Sequence, residues 1–183
     1  MTVSPIFPAL GVAPPVYLRL LNSPADWGDG NDPIEERVRH AVEAGFLKRH
    51  HSPFSFYLAR SEDDLRRIIM AFNGNRHDPY DKLDLVAFTC EEMAAAGLIV
   101  QPTPGRTRCG FANRRHHDGE ATRDELAALC REAMAGGRSA CRINKQRSKE
   151  VVLAAQGEQC AAAPAITSPC WVAECAAAPA AES

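Results

Sequence analysis

The stretch FSFYLARSEDDLRRIIMAFNG at residues 54–74 predicts a strand that passes directly into a helix. The first six residues are almost all apolar or aromatic, which is typical of a buried strand. Ser61 then places a hydroxyl at the start of the helix, and Asp64 adds a carboxylate three residues later, so both can accept hydrogen bonds from unpaired N–H groups there. Four apolar residues follow at the spacing of one buried helical face: Leu65, Ile68, Ile69 and Phe72.

A second unit of the same kind lies downstream. The apolar segment LDLVAF, Leu83–Phe88, is followed by Thr89 and, three residues later, by Glu92, which together form a capping box for a short helix. Two strand-then-helix units in succession predict a small α/β layer, and we expect their two strands to lie side by side in the sheet.

The first 33 residues carry six prolines and the turn-rich string NSPADWGDGNDP. Proline fixes φ and lacks a backbone N–H group, so we expect regular structure here to be limited to one short strand at Val16–Leu21. Asp32 and Pro33 have the residue types of an N-cap and a first helical position, and they predict a helix that continues to Gly45.

These segments predict an α/β (or α+β) fold that combines a small mixed sheet with three to four capped helices. We expect residues 1–33 to form a proline-rich N-terminal arm and residues 34–155 a single small α/β domain, of which 101–149 is a basic module. Residues 156–183 are rich in Ala, Pro and Cys and repeat the strings QCAAAPA and ECAAAPA. Such a segment buries too little surface to offset its chain entropy, so we expect a disordered tail.

The distribution of charge distinguishes the basic module from the rest of the chain. The net charge is −2, but two stretches contain no acidic residue: QPTPGRTRCGFANRRHH at 101–117 and RSACRINKQRSK at 138–149. These 29 residues hold nine of the 21 basic side chains, and the segment between them carries five acidic residues. A local excess of positive charge of this kind is typical of a surface that binds phosphate groups.

The C-terminal part of the basic module predicts a helix followed by a hairpin. Thr122 and Glu125 form a third capping box, and the helix that they begin would end at Gly136. Two short apolar segments at 140–143 and 151–154 would pair as a hairpin whose tip, NKQRSKE, is basic. This helix-plus-wing arrangement resembles winged-helix DNA-binding modules. The two basic stretches would merge only if the hairpin folded back beside the first of them.

We therefore predict a non-catalytic nucleic-acid-binding or regulatory protein that binds DNA or RNA through a basic loop and the basic hairpin tip. Arginine supplies a planar fork that matches phosphate oxygens, and Phe111 adds a ring on which an unpaired base can stack. Two alternatives stay open: a protein–protein adaptor that uses the acidic middle of the chain or the tail, and a small metal-dependent hydrolase or nuclease. The predicted phosphate contacts are Arg106, Arg108, Arg114, Arg115, Arg142, Lys145, Arg147 and Lys149.

The residues that suggest metal or catalytic chemistry complete no motif. Cys109, the histidine pair 116–117 and Asp118 lie close in sequence. Neighbouring histidines diverge on a regular element, however, and the spacing matches no zinc-binding pattern. Cys90 falls at a helix start, which suits a nucleophilic thiol, but no partner base is indicated. We therefore expect no metal and no cofactor, and we assign no catalytic residue. The acidic residues weighed for a nuclease-type magnesium site are Asp78, Asp81, Asp84, Glu91 and Glu92.

We expect a cytoplasmic protein without a membrane segment. No stretch approaches the run of about 18 apolar residues that spans a bilayer, and the N-terminal residues lack the basic region of a signal peptide. The seven cysteines are odd in number and irregularly spaced, so they do not indicate a disulfide framework.

Overall fold

The computed structural model describes residues 5–47, 53–74, 81–106, 112–113 and 115–160. It confirms the predicted α/β class, with helices on both faces of a six-stranded sheet. The strands are β1 (Val16–Leu21), β2 (Phe54–Ala59), β3 (Leu83–Thr89), β4 (Ile99–Pro102), β5 (Gly105–Arg106), β6 (Ala112–Asn113), β7 (His116–Glu120) and β8 (Cys141–Ile143). The helices are α1 (Phe7–Leu10), α2 (Ile34–Ala41), α3 (Glu62–Gly74), α4 (Cys90–Ala95), α5 (Arg123–Ala135) and α6 (Lys145–Cys160).

The sheet has the strand order β4-β7-β2-β1-β3-β8, and each described pair of neighbouring strands is antiparallel rather than mixed. The strands predicted at 54–59 and 83–88 are confirmed as β2 and β3. The expectation that they lie side by side is wrong, because β1 pairs with both of them. Its sequence VYLRLL is largely apolar on both faces and therefore suits a central strand that helices cover on each side. Strands β5 and β6 pair with each other outside this sheet.

Helices α1, α3 and α6 cover what we call the first face of the sheet. Their apolar side chains pack with alternate residues of β1, β2, β3 and β8. The ring of Tyr57 in β2, for example, lies 4.3 Å from the ring of Phe72 in α3 in an edge-to-face arrangement. The helical face predicted from sequence spacing is confirmed, because its four members are all buried here: Leu65, Ile68, Ile69 and Phe72.

Helices α2, α4 and α5 cover the opposite, second face. Four phenylalanine rings belong to this core, and two of them, Phe46 and Phe54, lie against a charged group. The guanidinium of Arg19 lies 5.1 Å from the ring centroid of Phe46, and it donates hydrogen bonds to the carbonyls of Gly45 and Ser55. These contacts stabilise a basic side chain that is only 3% exposed. The rings are those of Phe46, Phe54, Phe56 and Phe88.

The caps predicted at Ser61, Thr89 and Thr122 are confirmed. At the start of α3, the Asp64 N–H donates a 3.2 Å hydrogen bond to the Ser61 hydroxyl, and the Asp64 carboxylate accepts a 2.9 Å hydrogen bond from the Arg60 N–H. The two full capping boxes satisfy the backbone donors at the starts of α4 and α5 in the same reciprocal way. They consist of Thr89 with Glu92, and Thr122 with Glu125.

The hairpin predicted at 140–154 is wrong. Residues 141–143 form β8, but the chain then enters α6 instead of returning as a second strand. Asn144 accounts for the difference, because its side-chain oxygen accepts a 2.8 Å hydrogen bond from the backbone N–H of Arg147 and caps the first turn. Val151 is buried in the core of the first face as part of this helix. The described residues therefore contain no basic wing after α5.

The ends of the chain differ in part from expectation. The strand at 16–21 is confirmed, but the N-terminal residues also form α1 and a 3₁₀ turn at Pro24–Trp27. Pro33, not Asp32, precedes α2, and the chain passes through Gly45 in a π-helical turn at Val42–Leu47. Most of the predicted tail lies outside the described residues, and its first five residues belong to α6. No described helix is both long and apolar enough to cross a membrane.

Candidate nucleic-acid interface and an adjoining polar surface

The first acid-free stretch folds as part of an antiparallel ribbon at one edge of the sheet. Strand β4 pairs with β7, and β5 pairs with β6 in the same antiparallel sense, so residues 99–106 run alongside the described residues of 112–120. We call these two segments the basic ribbon. Arg106 therefore lies in a short strand rather than in the loop that we expected, since β5 pairs Arg106 with Ala112. The residues that join β5 to β6, including Arg108 and Phe111, lie outside the described part of the chain.

Where β4 and β7 of the ribbon join β2 in the main sheet, two rows of polar and aromatic side chains lie on the first face. Cross-strand partners lie on the same face of a sheet, so register alone defines these rows. In one row Asp118 of β7 lies between Ser55 of β2 and Gln101 of β4. In the other, His116 lies between Tyr57 and Thr103. We call these six residues the polar surface: Ser55, Tyr57, Gln101, Thr103, His116 and Asp118.

Close polar contacts connect four of these side chains in sequence: a hydrogen bond at each end, and an ion-pair contact between His116 and Asp118. Nδ1 of His116 lies 2.9 Å from the Thr103 hydroxyl and 3.1 Å from the Thr103 carbonyl oxygen. Nε2 of the same ring lies 3.6 Å from Oδ1 of Asp118. That oxygen also accepts a 3.3 Å hydrogen bond from the hydroxyl of Ser55. Each end of the imidazole therefore has an oxygen neighbour, and both neighbours belong to groups held by strand pairing.

The polar surface begins where the apolar core of the first face ends. Tyr57 is buried, and its ring lies edge-on to the ring of His116 with centroids 5.1 Å apart. Beyond it, the side chains of His116 and Asp118 are 18% and 28% exposed. Of the described residues of β4 and β7, none belongs to the apolar core on this face. The cluster is therefore partly shielded by packing but open to solvent.

The adjacent histidines diverge, as the sequence analysis predicts. His117 lies on the second face, where its ring is 5.6 Å from the ring of Tyr17, and its Nδ1 lies 3.0 Å from the Arg115 carbonyl oxygen. Burial raises the pKa of Tyr17; nearby Cys90 raises it further, whereas Arg60 lowers it. The Cys90 thiol, considered above as a nucleophile, donates a 3.8 Å hydrogen bond to the Pro15 carbonyl oxygen.

Arg115 is a predicted phosphate contact, and it directly precedes His116 of the polar surface in the sequence. Its Nε donates a 2.7 Å hydrogen bond to the carboxylate of Asp64 at the start of α3, which fixes the guanidinium on the first face. The Asp64 side chain is 7% exposed and that of Arg115 is 34% exposed. The side chain of Arg106 and the whole of Arg108 and Arg114 lie outside the described residues.

The predicted contacts of the second stretch lie on β8 and α6, where most have carboxylate partners. Lys145 lies 3.9 Å from Asp81. Arg147 bonds to Glu150 and to the carbonyl of Pro5. Lys149 is exposed. Arg142 donates two hydrogen bonds to the carboxylate of Asp84, which lies directly opposite it in β3.

The sheet does not bring the two basic stretches together. Three strands, β2, β1 and β3, lie between β7 and β8. At the usual strand spacing, the four steps from β7 to β8 correspond to about 19 Å. The two stretches could form one basic patch only if a hairpin folded back beside residues 101–117. Helix α6 forms in place of that hairpin, so this condition is not met. The two basic stretches therefore lie at opposite edges of the sheet, and we take the basic ribbon as the candidate nucleic-acid interface.

Three of the five acidic residues considered for a metal site have other partners in the structure. Asp84 bonds to Arg142, and Asp81 accepts a hydrogen bond from the Lys82 N–H. Glu92 is shared between its capping box and Arg138. Asp78 lies outside the described residues. Within the described part of the chain, no group of three or more His, Cys, Asp or Glu side chains is arranged to hold a metal ion.

Sequence patterns did not identify the polar surface. His116 and Asp118 were considered only as metal ligands, with Cys109, and their spacing matched no zinc-binding pattern. Ser55 and Thr103 carried no motif, although Ser55 interrupts the aromatic alternation of FSFYLA. The one usable pattern is the alternation of polar residues 116 and 118 along a strand, which places them on one face. Their partners depend on the register of three strands that are distant in sequence.

Comparisons of the chain with protein-family models, curated protein sequences and solved structures gave no match.

Proposed function

We propose that this protein binds nucleic acid through the basic ribbon, with Arg106, Arg108, Arg114 and Arg115 as contacts to backbone phosphate. The observation that carries the proposal is that the described residues of the acid-free stretch 101–117 follow a two-stranded antiparallel ribbon at the edge of the sheet. A two-stranded ribbon is narrow enough to enter the major groove of a duplex, and it also offers a track for a single strand.

The charge of this segment supports the proposal. Residues 101–117 carry four arginines and no carboxylate, so the local field is positive although the whole chain has a net charge of −2. Guanidinium groups bind phosphate in a bidentate geometry, and such contacts supply the sequence-independent part of nucleic-acid affinity. The exposed Gln101 and Thr103 of the polar surface add neutral hydrogen-bonding groups next to these charges.

The second acid-free stretch has a smaller role in this proposal. Arg142 and Arg147 each have a carboxylate partner. Arg142 lies on β8, at the edge of the sheet opposite the ribbon, and Arg147 lies on α6, which follows β8. If a phosphate group replaced these carboxylates, the favourable energy of the existing ion pairs would be lost. Lys145 and Lys149 are exposed and would extend the contact only for a ligand long enough to reach from the ribbon to the other edge of the sheet.

Fluorescence anisotropy with labelled single- and double-stranded oligonucleotides tests the proposal. We expect binding at low salt, with an affinity that falls steeply as salt rises. Arg106→Ala and Arg108→Ala should each weaken binding and reduce the slope of log K against log salt by about 0.7–0.9 per lost phosphate contact.

Arg39→Ala is the matched control, because Arg39 is an exposed arginine on α2, which covers the second face. Its affinity and salt slope should equal those of the unmodified protein. Absence of binding at low salt, or a salt slope that the two ribbon variants share with the control, would refute the proposal.

A further inference from the structure

We propose that His116 and Asp118 act as an acid–base pair that cleaves the phosphodiester backbone of RNA held at the basic ribbon. The inference rests on the proposed nucleic-acid binding and adds a reaction to it. It is carried by the spacing of the two groups, by the contacts that orient each of them, and by their partial exposure next to the acid-free stretch.

The imidazole of His116 is oriented by Thr103. The proposal requires Nδ1 of His116 to carry a proton and to donate it to the Thr103 carbonyl oxygen at 3.1 Å, because a carbonyl oxygen can only accept a hydrogen bond. With Nδ1 committed to this bond, Nε2 is the nitrogen that exchanges protons. The ring of Tyr57, 5.1 Å away, supports the imidazole from β2.

The carboxylate of Asp118 is oriented from the other side. The Ser55 hydroxyl donates to its Oδ1 at 3.3 Å, and the cross-strand pairing of Ser55 with Asp118 fixes the distance between β2 and β7. Oδ1 lies 3.6 Å from Nε2 of His116. With side chains 18% and 28% exposed, both groups can contact a ligand while most of their surface is held by the protein.

The two groups supply a balanced transesterification. The Asp118 carboxylate accepts the proton of a ribose 2′-hydroxyl, and the 2′-oxygen attacks the adjacent phosphorus to form a 2′,3′-cyclic phosphate. The bond from phosphorus to the 5′-oxygen breaks, and the protonated His116 donates its Nε2 proton to that oxygen to give a 5′-hydroxyl. Transfer of the proton from Asp118 to Nε2, across the 3.6 Å gap, restores the starting state.

Arg115 completes the arrangement. Asp64, on α3, holds the Arg115 guanidinium on the same face as the acid–base pair. A positive group on this face favours binding of the phosphate that reacts, and it stabilises the additional negative charge of the transition state. Arg115 therefore serves both the proposed binding and the proposed cleavage, so it is unsuitable for separating the two.

The test compares RNA with DNA of the same sequence in the presence of EDTA, using the full chain. Anisotropy measures binding of each strand, and electrophoresis with end-group analysis measures cleavage. We expect both strands to bind and only RNA to be cut, because DNA lacks the 2′-hydroxyl. The products should carry 2′,3′-cyclic phosphate and 5′-hydroxyl ends.

His116→Gln and Asp118→Asn should each lower the cleavage rate by about 100-fold or more while RNA binding is retained, because neither replacement side chain exchanges a proton. Asn at position 118 can still accept the Ser55 hydrogen bond, so the fold is expected to persist, and circular dichroism checks it. His40→Gln is the matched control: His40 is exposed on α2, which covers the second face, and this variant should cleave at the unmodified rate.

The outcomes separate this inference from the proposed function. RNA that is bound but stays intact overturns the acid–base pair and leaves nucleic-acid binding in place. Cleavage that survives in both His116→Gln and Asp118→Asn also overturns it, since the activity then belongs to another group or to a contaminant. Failure of RNA and DNA alike to bind overturns both proposals.

Discussion

Arg142 and Asp84 lie directly opposite each other in β8 and β3, and the guanidinium donates hydrogen bonds of 2.7 and 3.0 Å to the two carboxylate oxygens. The Asp84 side chain is 2% exposed, whereas that of Arg142 is 44% exposed. The hydrogen bond with Asp84 raises the pKa of Arg142. This pair explains an acidic residue inside a strand, and it gives Arg142 a structural role at the edge of the sheet.

Arg142→Ala is therefore expected to lower stability without weakening nucleic-acid binding at the ribbon. The substitution leaves the buried carboxylate of Asp84 without its partner, so the free energy of unfolding should fall. Urea unfolding measures the first effect and anisotropy the second. Lys145→Ala is the control, because Lys145 is 65% exposed and its contact with Asp81 is 3.9 Å long. A loss of affinity with unchanged stability would instead assign Arg142 to the ligand.

Arg138→Ala is expected to destabilise the fold by about 3–5 kcal/mol. The Arg138 side chain is 8% exposed; it donates a 2.7 Å hydrogen bond to Glu92 of α4 and a 3.1 Å hydrogen bond to the carbonyl of Gly11. Its removal leaves a largely buried carboxylate and breaks a link between α4 and the segment that follows α1.

Urea denaturation of the Arg138→Ala variant measures this loss. Arg39→Ala serves as the comparison, since the contact of Arg39 with Glu36 is 3.7 Å long and both side chains are more than half exposed. Its unfolding free energy should change by less than about 1 kcal/mol. Equal effects of the two substitutions would show that the Arg138 contacts do not stabilise the protein.

Much of the fold could be predicted because its signals are local. The Ser61, Thr89 and Thr122 caps each need only a hydroxyl and a carboxylate three residues apart, and all three begin helices as expected. The strands at 54–59 and 83–88 follow from runs of apolar residues. The helix α6 was missed, although Asn144 is a good N-cap residue and no proline follows it before residue 160.

What could not be predicted is long-range pairing. Nothing near β1 in the sequence indicates that Val16 pairs with both Ala59 and Thr89, yet this insertion separates β2 from β3. The polar surface depends on the same kind of information, because Ser55 meets Asp118 only through the register of β2 with β7. Charge segregation was visible in the sequence, but its division between two edges of the sheet follows from the strand order.

Cys130 is expected to make stability fall at alkaline pH. Complete burial in α5 raises the pKa of its thiol from 9.0 to about 12. The thiol of the unfolded chain ionises from about pH 9, so the contribution of this group is fully present below pH 9 and is lost as pH rises towards 12. Between pH 9 and pH 12, the free energy of unfolding should fall by up to about 1.4 kcal/mol per pH unit because of this thiol.

The measurement is the difference in unfolding free energy between the unmodified protein and Cys130→Ala at several pH values, because other groups that titrate cancel in the difference. The advantage of the unmodified protein should shrink between pH 9 and 12. A difference that is independent of pH would contradict the raised pKa of Cys130.

Gly119→Ala is expected to displace β4 from β7 and so to disturb the orientation of His116. Gly119 lies between Phe54 and Val100 in the sheet, and a Cβ atom at this position would lie 2.8 Å from Cγ1 of Val100 and 3.3 Å from the carbonyl oxygen of Ile99. The second atom is backbone and cannot rotate away, so the strand must move. Overpacking of this kind costs about 1–3 kcal/mol.

Gly30→Ala is the matched control for this substitution, because a Cβ at Gly30 meets nothing within 4 Å. Urea unfolding should show a loss of stability for Gly119→Ala and a change within about 0.5 kcal/mol for Gly30→Ala. The imidazole NMR resonances of His116 should shift in the first variant only, since Thr103, which bonds to Nδ1 of His116, directly follows β4. Unchanged resonances in a destabilised Gly119→Ala protein would show that the Thr103 contact does not depend on the pairing of β4 with β7.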